Sequence, residues 1–152
     1  SLAQAKVVSR KVTEVSHNHP EGLKGAVAVV VSIYMALHGS TIAEIKRHVA
    51  ENYYNMDFTL DGIRESYRFN ETCQDTVPQA LEAFFESRSF EDAVRNAISI
   101  GGDSDTVAAI TGGVAEAYYG IPRHIREQGI QFLDERQKRI LEEFESHFPS
   151  KK

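Results

Sequence analysis

The chain has one cysteine, Cys73, in 152 residues. No intrachain disulfide can form, and a single thiol suits a reducing compartment, so a cytoplasmic location is expected. An excess of positive charge is missing as well. There are 17 Lys and Arg against 22 Asp and Glu, a formal net charge of −5. A protein that grips nucleic acid through its phosphates needs the opposite balance, so no nucleic-acid partner is expected. The basic residues are scattered, apart from Lys151-Lys152 at the end. Long apolar runs are also lacking. The longest, Ala26 to Val31, is far too short to cross a bilayer, and the chain does not open on a charged stretch leading into an apolar one. Neither membrane insertion nor secretion is therefore expected. There is no repeat, no low-complexity tract and no clear linker, and no alternating run long enough for a convincing strand.

What is present is helical periodicity. Hydrophobic residues make up 41% and charged residues 26%, the composition of an ordinary soluble globular protein. The length suffices for one domain with a real core, so a single all-helical domain over residues 1–152 is expected. Val7, Val8, Val12 and Val15 recur at helical spacing, and the pattern breaks at Ser16-His17-Asn18-His19-Pro20. A second helix runs from Pro20 or Glu21 to Leu37. It is apolar on most faces and carries Gly25, Ala26, Ala28 and Ser32, which suits a central helix with close neighbours. Thr41 with Glu44 reads as a capping box for a helix to about Tyr54. A short helix within 60–67 and a loop to Asp75 follow. Val77 to Ser87 has Pro78 in its first turn, and Ser89 caps the helix that ends near Ile100. Further helices are expected over about 104–119, 122–129 and 132–148.

The densest chemistry lies at Gly101-Gly102-Asp103-Ser104-Asp105-Thr106. Two carboxylates and two hydroxyls fall within four residues, after two glycines and before a small-residue helix. Acidic groups this close repel one another, and a hard cation is the usual neutraliser. Carboxylate and hydroxyl oxygens suit Mg²⁺, Mn²⁺ or Ca²⁺ better than zinc. The spacing fails as an EF-hand, and the glycines fail as a dinucleotide fingerprint because no strand precedes them. The plainer alternative is that Ser104 or Asp105 merely caps a helix. In a second cluster, His17 and His19 could bind a transition metal, or donate to a phosphate or ribose beside a helix start. They could equally satisfy local backbone groups. A third segment runs from Tyr67-Arg68-Phe69 through Cys73 to Gln79-Ala80. Its aromatics could stack on a base, though core packing is the expected use, and Cys73, with no nearby histidine, suits a small buried hydrophobe.

These three segments, in this order, resemble the later part of the ADP-ribosylglycohydrolase family. Ile98-Ser99-Ile100-Gly101-Gly102-Asp103-Ser104-Asp105-Thr106, continued by Gly112, Ala115 and Tyr119-Gly120, is similar to the family's C-terminal signature. Ser16-His17-Asn18-His19-Pro20-Glu21-Gly22 with Lys24-Gly25-Ala26 is similar to its middle motif. The resemblance implies an all-α orthogonal helical bundle with a dinuclear Mg²⁺ site, Mn²⁺ being an alternative. It implies hydrolysis of the bond between ADP-ribose and an acceptor on a modified protein or a related compound. Asp103, Asp105 and Thr106 would be metal ligands. His17, Gly101, Gly102 and Ser104 would face the substrate. The family's N-terminal glutamate and Thr-Asp-Asp motif, which supply other ligands and the acid/base group, have no counterpart here. The chain is therefore expected to carry part of an enzyme and to be poorly active alone. Self-association through apolar faces left uncovered is a further expectation. The alternative is an inactive module that binds ADP-ribose or a nucleotide, or a structural remnant.

Overall fold

The computed structural model describes residues 1–148, and the Lys151-Lys152 pair lies outside them. Among the described residues there are helices and no strand, so the fold is all-α as expected. In chain order the helices are α1 (Leu2–Thr13), α2 (Pro20–Leu37), α3 (Ile42–Asn52), α4 (Leu60–Ile63), α5 (Val77–Phe85), α6 (Phe90–Ser99), α7 (Ser104–Tyr119), α8 (Arg123–Ile130) and α9 (Glu135–His147). A single 3-10 turn, Cys73–Asp75, precedes α5.

Local chemistry sets most of the boundaries. The Thr41–Glu44 capping box forms: the Thr41 N–H donates to Glu44 Oε2 at 2.8 Å, and the Glu44 N–H donates to Thr41 Oγ1 at 3.3 Å. Hydrogen bonds from the Thr41 backbone and side chain hold the Glu44 carboxyl below its ordinary range. Ser89 caps α6 by accepting from the Asp92 N–H at 3.1 Å. Gly39, at φ +82, closes α2, a backbone state that an L side chain adopts only with strain.

Packing places α5 deepest. Eight of its nine residues are buried, all but Gln79. The centrality expected of α2 holds in that α1, α3, α5 and α7 all pack on it. Among the described residues α2 is the one helix long and apolar enough to cross a membrane by length and composition, and four helices pack on it. Phe84 of α5 is fully buried, with its ring 5.5 Å from Phe85 and Tyr118 and 6.1 Å from Tyr119. Removing such a ring from water contributes about 2–3 kcal/mol. A second, smaller cluster joins Leu60, Ala80, Ala83, Ala97, Ile100 and Val107 beneath the glycine turn.

The outer helices depart from their sequence pattern. The valines that mark α1 as helical face solvent, with Val8 58%, Val12 69% and Val15 85% exposed. The helix packs on α2, and Ser9 is its one buried residue. In α9, Ile140 and Phe144 are likewise exposed. Neither α8 nor α9 has a buried residue, and Arg126 of α8 holds Glu145 of α9 through a guanidinium–carboxylate contact.

Candidate functional site

Three segments far apart in sequence meet around residues 67–77. On one side is α2, at Gly25. A Cβ built there would lie 3.2 Å from Val77 Cγ2 and 3.3 Å from both Cys73 Cβ and the Tyr54 hydroxyl. A larger side chain would push α2 off this segment. On the other side is the Gly101–Gly102 turn. A Cβ at Gly102 would lie 2.5 Å from Tyr67 Cε1, 3.1 Å from Tyr67 Cδ1 and 3.2 Å from the Arg68 carbonyl. The 67–77 segment is thus wedged between the start of α2 and the start of α7.

The aspartate cluster sits at that second contact. Gly101 and Gly102 adopt φ +75 and +68, which turns the chain from α6 into α7. Asp103 occupies the N-cap of α7 without a capping hydrogen bond from its own side chain. Asp105 Oδ1 accepts from the adjacent Thr106 N–H, a first-turn donor of α7, at 3.0 Å, so the helix-start role considered for Asp105 is met in part. The Asp103 side chain and then that N–H hold the Asp105 carboxyl below its ordinary value. The two aspartates stand two positions apart at the head of α7. Asp105 and Thr106 are exposed, while Asp103 and Ser104 are half-buried. The cluster faces open solvent. Two clefts, of about 480 and 620 Å³, lie elsewhere, around Arg64, Arg88 and Asp92 and around Lys46 and Phe58.

At the start of α2 the two histidines separate in role. His19 is the N-cap, its Nδ1 accepting from the Glu21 N–H at 3.2 Å. Its ring is engaged by the backbone, as the plainer alternative required. His17 is exposed, with Nδ1 2.9 Å from Ser16 Oγ. Among the described residues no hydrogen bond joins it to Asp103, Ser104, Asp105 or Thr106. Lys24, ion-paired to Glu21 at 2.6 Å, lies over the Tyr54 ring, 4.6 Å from its centroid. The Tyr54 hydroxyl is buried without a hydrogen bond, and burial pushes its pKa well up.

Of the aromatics, Tyr67 packs against the smaller core cluster as expected, while Phe69 is 65% exposed and does not. Cys73 is half-buried against the main core. Tyr54 was read only as a helix end, and Tyr67 only as an aromatic suited to core packing. An aromatic side chain by itself does not distinguish a wall from a core.

The donors fit a hard cation in kind: two carboxylates and a free hydroxyl, all oxygen. They do not fill a shell in number. Among the described residues no group of three or more His, Cys, Asp or Glu could hold a metal ion.

Comparison with known proteins bears on the same residues. The model of the family described as ADP-ribosylglycohydrolase matches residues 1–149. An uncharacterized protein of Archaeoglobus fulgidus is 28% identical over 147 residues, covering 84% of this chain and 48% of that protein. The ADP-ribosylarginine hydrolase Tri1 of Pseudomonas putida is 29% identical over 115 residues, covering 72% of this chain and 31% of that protein. The chain thus spans about half, or less, of the curated relatives it matches. No solved structure matches it.

Proposed function

The chain belongs to the ADP-ribosylglycohydrolase family, and we propose that it supplies one wall of a metal-dependent site that hydrolyses the bond between ADP-ribose and an acceptor. The observation that carries this reading is the open Asp103–Thr106 cluster at the head of α7. Asp103 and Asp105 would hold Mg²⁺ or Mn²⁺ with the help of the Thr106 hydroxyl. Bound there, the cation would supply charge neutralisation and Lewis-acid polarisation of ribose oxygens. The chain's own groups would do the rest. The exposed Gly101–Gly102 turn carries no side chain to keep a substrate from its backbone. The Ser104 hydroxyl and the His17 ring would hydrogen-bond to ribose or phosphate oxygens. An arginine acceptor is one candidate, because a relative is named as an ADP-ribosylarginine hydrolase.

We place the remaining ligands and the acid/base group outside these 152 residues. Three donors leave most positions of two octahedral shells to water. The share of the relatives' length covered, 48% and 31%, supports this. The expected outcome is weak metal binding and little or no release of ADP-ribose from an ADP-ribosylated protein. Robust, metal-dependent release by the purified chain would overturn the part-site reading.

A second reading, a module that binds ADP-ribose without turnover, draws on the lack of a larger ligand cluster among the described residues. Titration calorimetry with ADP-ribose, with and without Mg²⁺, separates the two. Tight binding that ignores the metal favours the module.

A further inference from the structure

The two glycines of the turn differ in their surroundings. A Cβ at Gly101 would meet nothing within 4 Å, whereas one at Gly102 would strike the Tyr67 ring. Gly102 is therefore held by a neighbour as well as by its dihedral angle. Tyr67 is itself anchored. Its N–H donates to the Ile63 carbonyl at 2.8 Å, and its ring packs with the cluster of Leu60, Ala80, Ala83, Ala97, Ile100 and Val107. That cluster is drawn from α4, α5, α6 and α7, so the ring's seat is fixed by four helices.

A clamp on the same segment reinforces the seat. Arg64 donates to the Ser99 carbonyl at 2.9 Å and to Ser99 Oγ at 2.5 Å, and Ser99 Oγ donates to the Asn96 carbonyl at 2.7 Å. Ser99 is the last residue of α6, two residues before Gly101. The turn is thus gripped where it leaves α6, by Arg64, and at its second glycine, by Tyr67. The Tyr67 hydroxyl is buried. It has no hydrogen-bond partner, and burial pushes its pKa up.

We propose that Tyr67 is a positioning residue of the aspartate cluster, its ring serving as the platform that fixes the Gly101–Gly102 turn and so presents Asp103 and Asp105 together. The ring does this from below the turn. Its effect passes through the Gly102 backbone, which is why Gly102 has no room for a side chain. The inference rests on the functional reading above only where metal uptake is concerned.

The test compares Tyr67→Leu with Tyr67→Phe in the full 152-residue chain. Leucine keeps apolar volume in the small cluster but removes the ring edge under Gly102. Phenylalanine keeps the ring and removes the hydroxyl. Two quantities are measured: Mn²⁺ affinity by titration, and amide hydrogen exchange at Gly102–Asp105 relative to the slowest amides of α5. With Tyr67→Leu, Mn²⁺ affinity should fall at least tenfold, and turn amides should exchange at least tenfold faster while the α5 amides do not follow. With Tyr67→Phe, both should stay within threefold of the parent. A leucine variant that leaves both quantities unchanged, or loosens turn and α5 alike, overturns the proposal. So does a phenylalanine variant that loses as much as leucine. If the parent chain takes up no Mn²⁺, the metal-site reading falls, and the exchange comparison alone decides the role of Tyr67.

Discussion

Lys46 Nζ of α3 lies 2.6 Å from Glu82 Oε1 of α5, joining an ammonium that is 35% exposed to a carboxylate that is 1% exposed. The pair is asymmetric. Lys46 can turn to water, while Glu82 sits on the most enclosed helix with Oε2 making no hydrogen bond. Burial pushes the Glu82 carboxyl up, and Lys46 offsets this only in part.

That asymmetry fixes the sign of a pH effect. The folded chain holds the Glu82 proton more tightly than the unfolded chain does. Its contribution is therefore full below the ordinary carboxylate value and is lost as pH rises through the raised folded value. Glu82→Gln should flatten the fall in melting temperature across that window. Lys46→Met should steepen it and cost about 3 kcal/mol, because it strands a buried carboxylate. Thermal melts from pH 4 to 8 check both; identical slopes in parent and Glu82→Gln would refute the assignment.

Thr111 ties α7 to α5. Its hydroxyl is fully buried and lies 2.8 Å from the carbonyls of both Ala80 and Val107, which share its single proton. Thr111→Val keeps the shape and removes the donor, so it should cost about 1 kcal/mol in urea unfolding. A loss below 0.3 kcal/mol would mean that the shared bond adds nothing over solvent.

The glycine turn predicts an order. Gly101→Ala meets only the dihedral strain, about 1–2 kcal/mol. Gly102→Ala meets the same strain and the Tyr67 ring, so it should cost about 1–3 kcal/mol more. Equal losses at the two positions would show that the ring yields freely.

Asp105 supplies a local readout. Its carboxyl is held low by the Asp103 side chain and by the Thr106 N–H. Asp103→Ala should move the Asp105 titration midpoint, as read by carboxyl carbon NMR, because the two carboxyls titrate in one local field. In the parent chain this stabilising contribution is present at neutral pH and is lost as pH falls through the depressed value. An unmoved midpoint would break the link between the two aspartates.

Each helix was legible in the sequence, and several starts were read from local signals, although the Asp134–Gln137 capping box that starts α9 was not. Thr41 with Glu44, Ser89, and Pro20 and Pro78 at helix starts all act within one turn of themselves. Facing was less legible. Val8 and Val12 have helical spacing but are exposed, and the buried position of α1 is the polar Ser9. The depth of α5 was also hidden, since Ala80 and Ala83 carry little hydrophobic signal yet are fully buried. At the site, Asp103, Asp105 and Thr106 stood out by their density. Tyr67 did not, because its contact is with a residue 35 positions away.

By itself, then, the sequence determined the all-α class, the order of the helices with the ends of α2 and α7, and the hard-oxygen character of the Asp103–Thr106 cluster. Each of these depends on hydrogen bonds, dihedral preferences or ligand chemistry confined to neighbouring residues. Only the tertiary structure decided that α2, the 67–77 segment and the head of α7 meet, through Gly25 against Cys73 and Gly102 against Tyr67. Those contacts need backbones to approach at glycine, and the distance of that approach is set by how the surrounding helices pack.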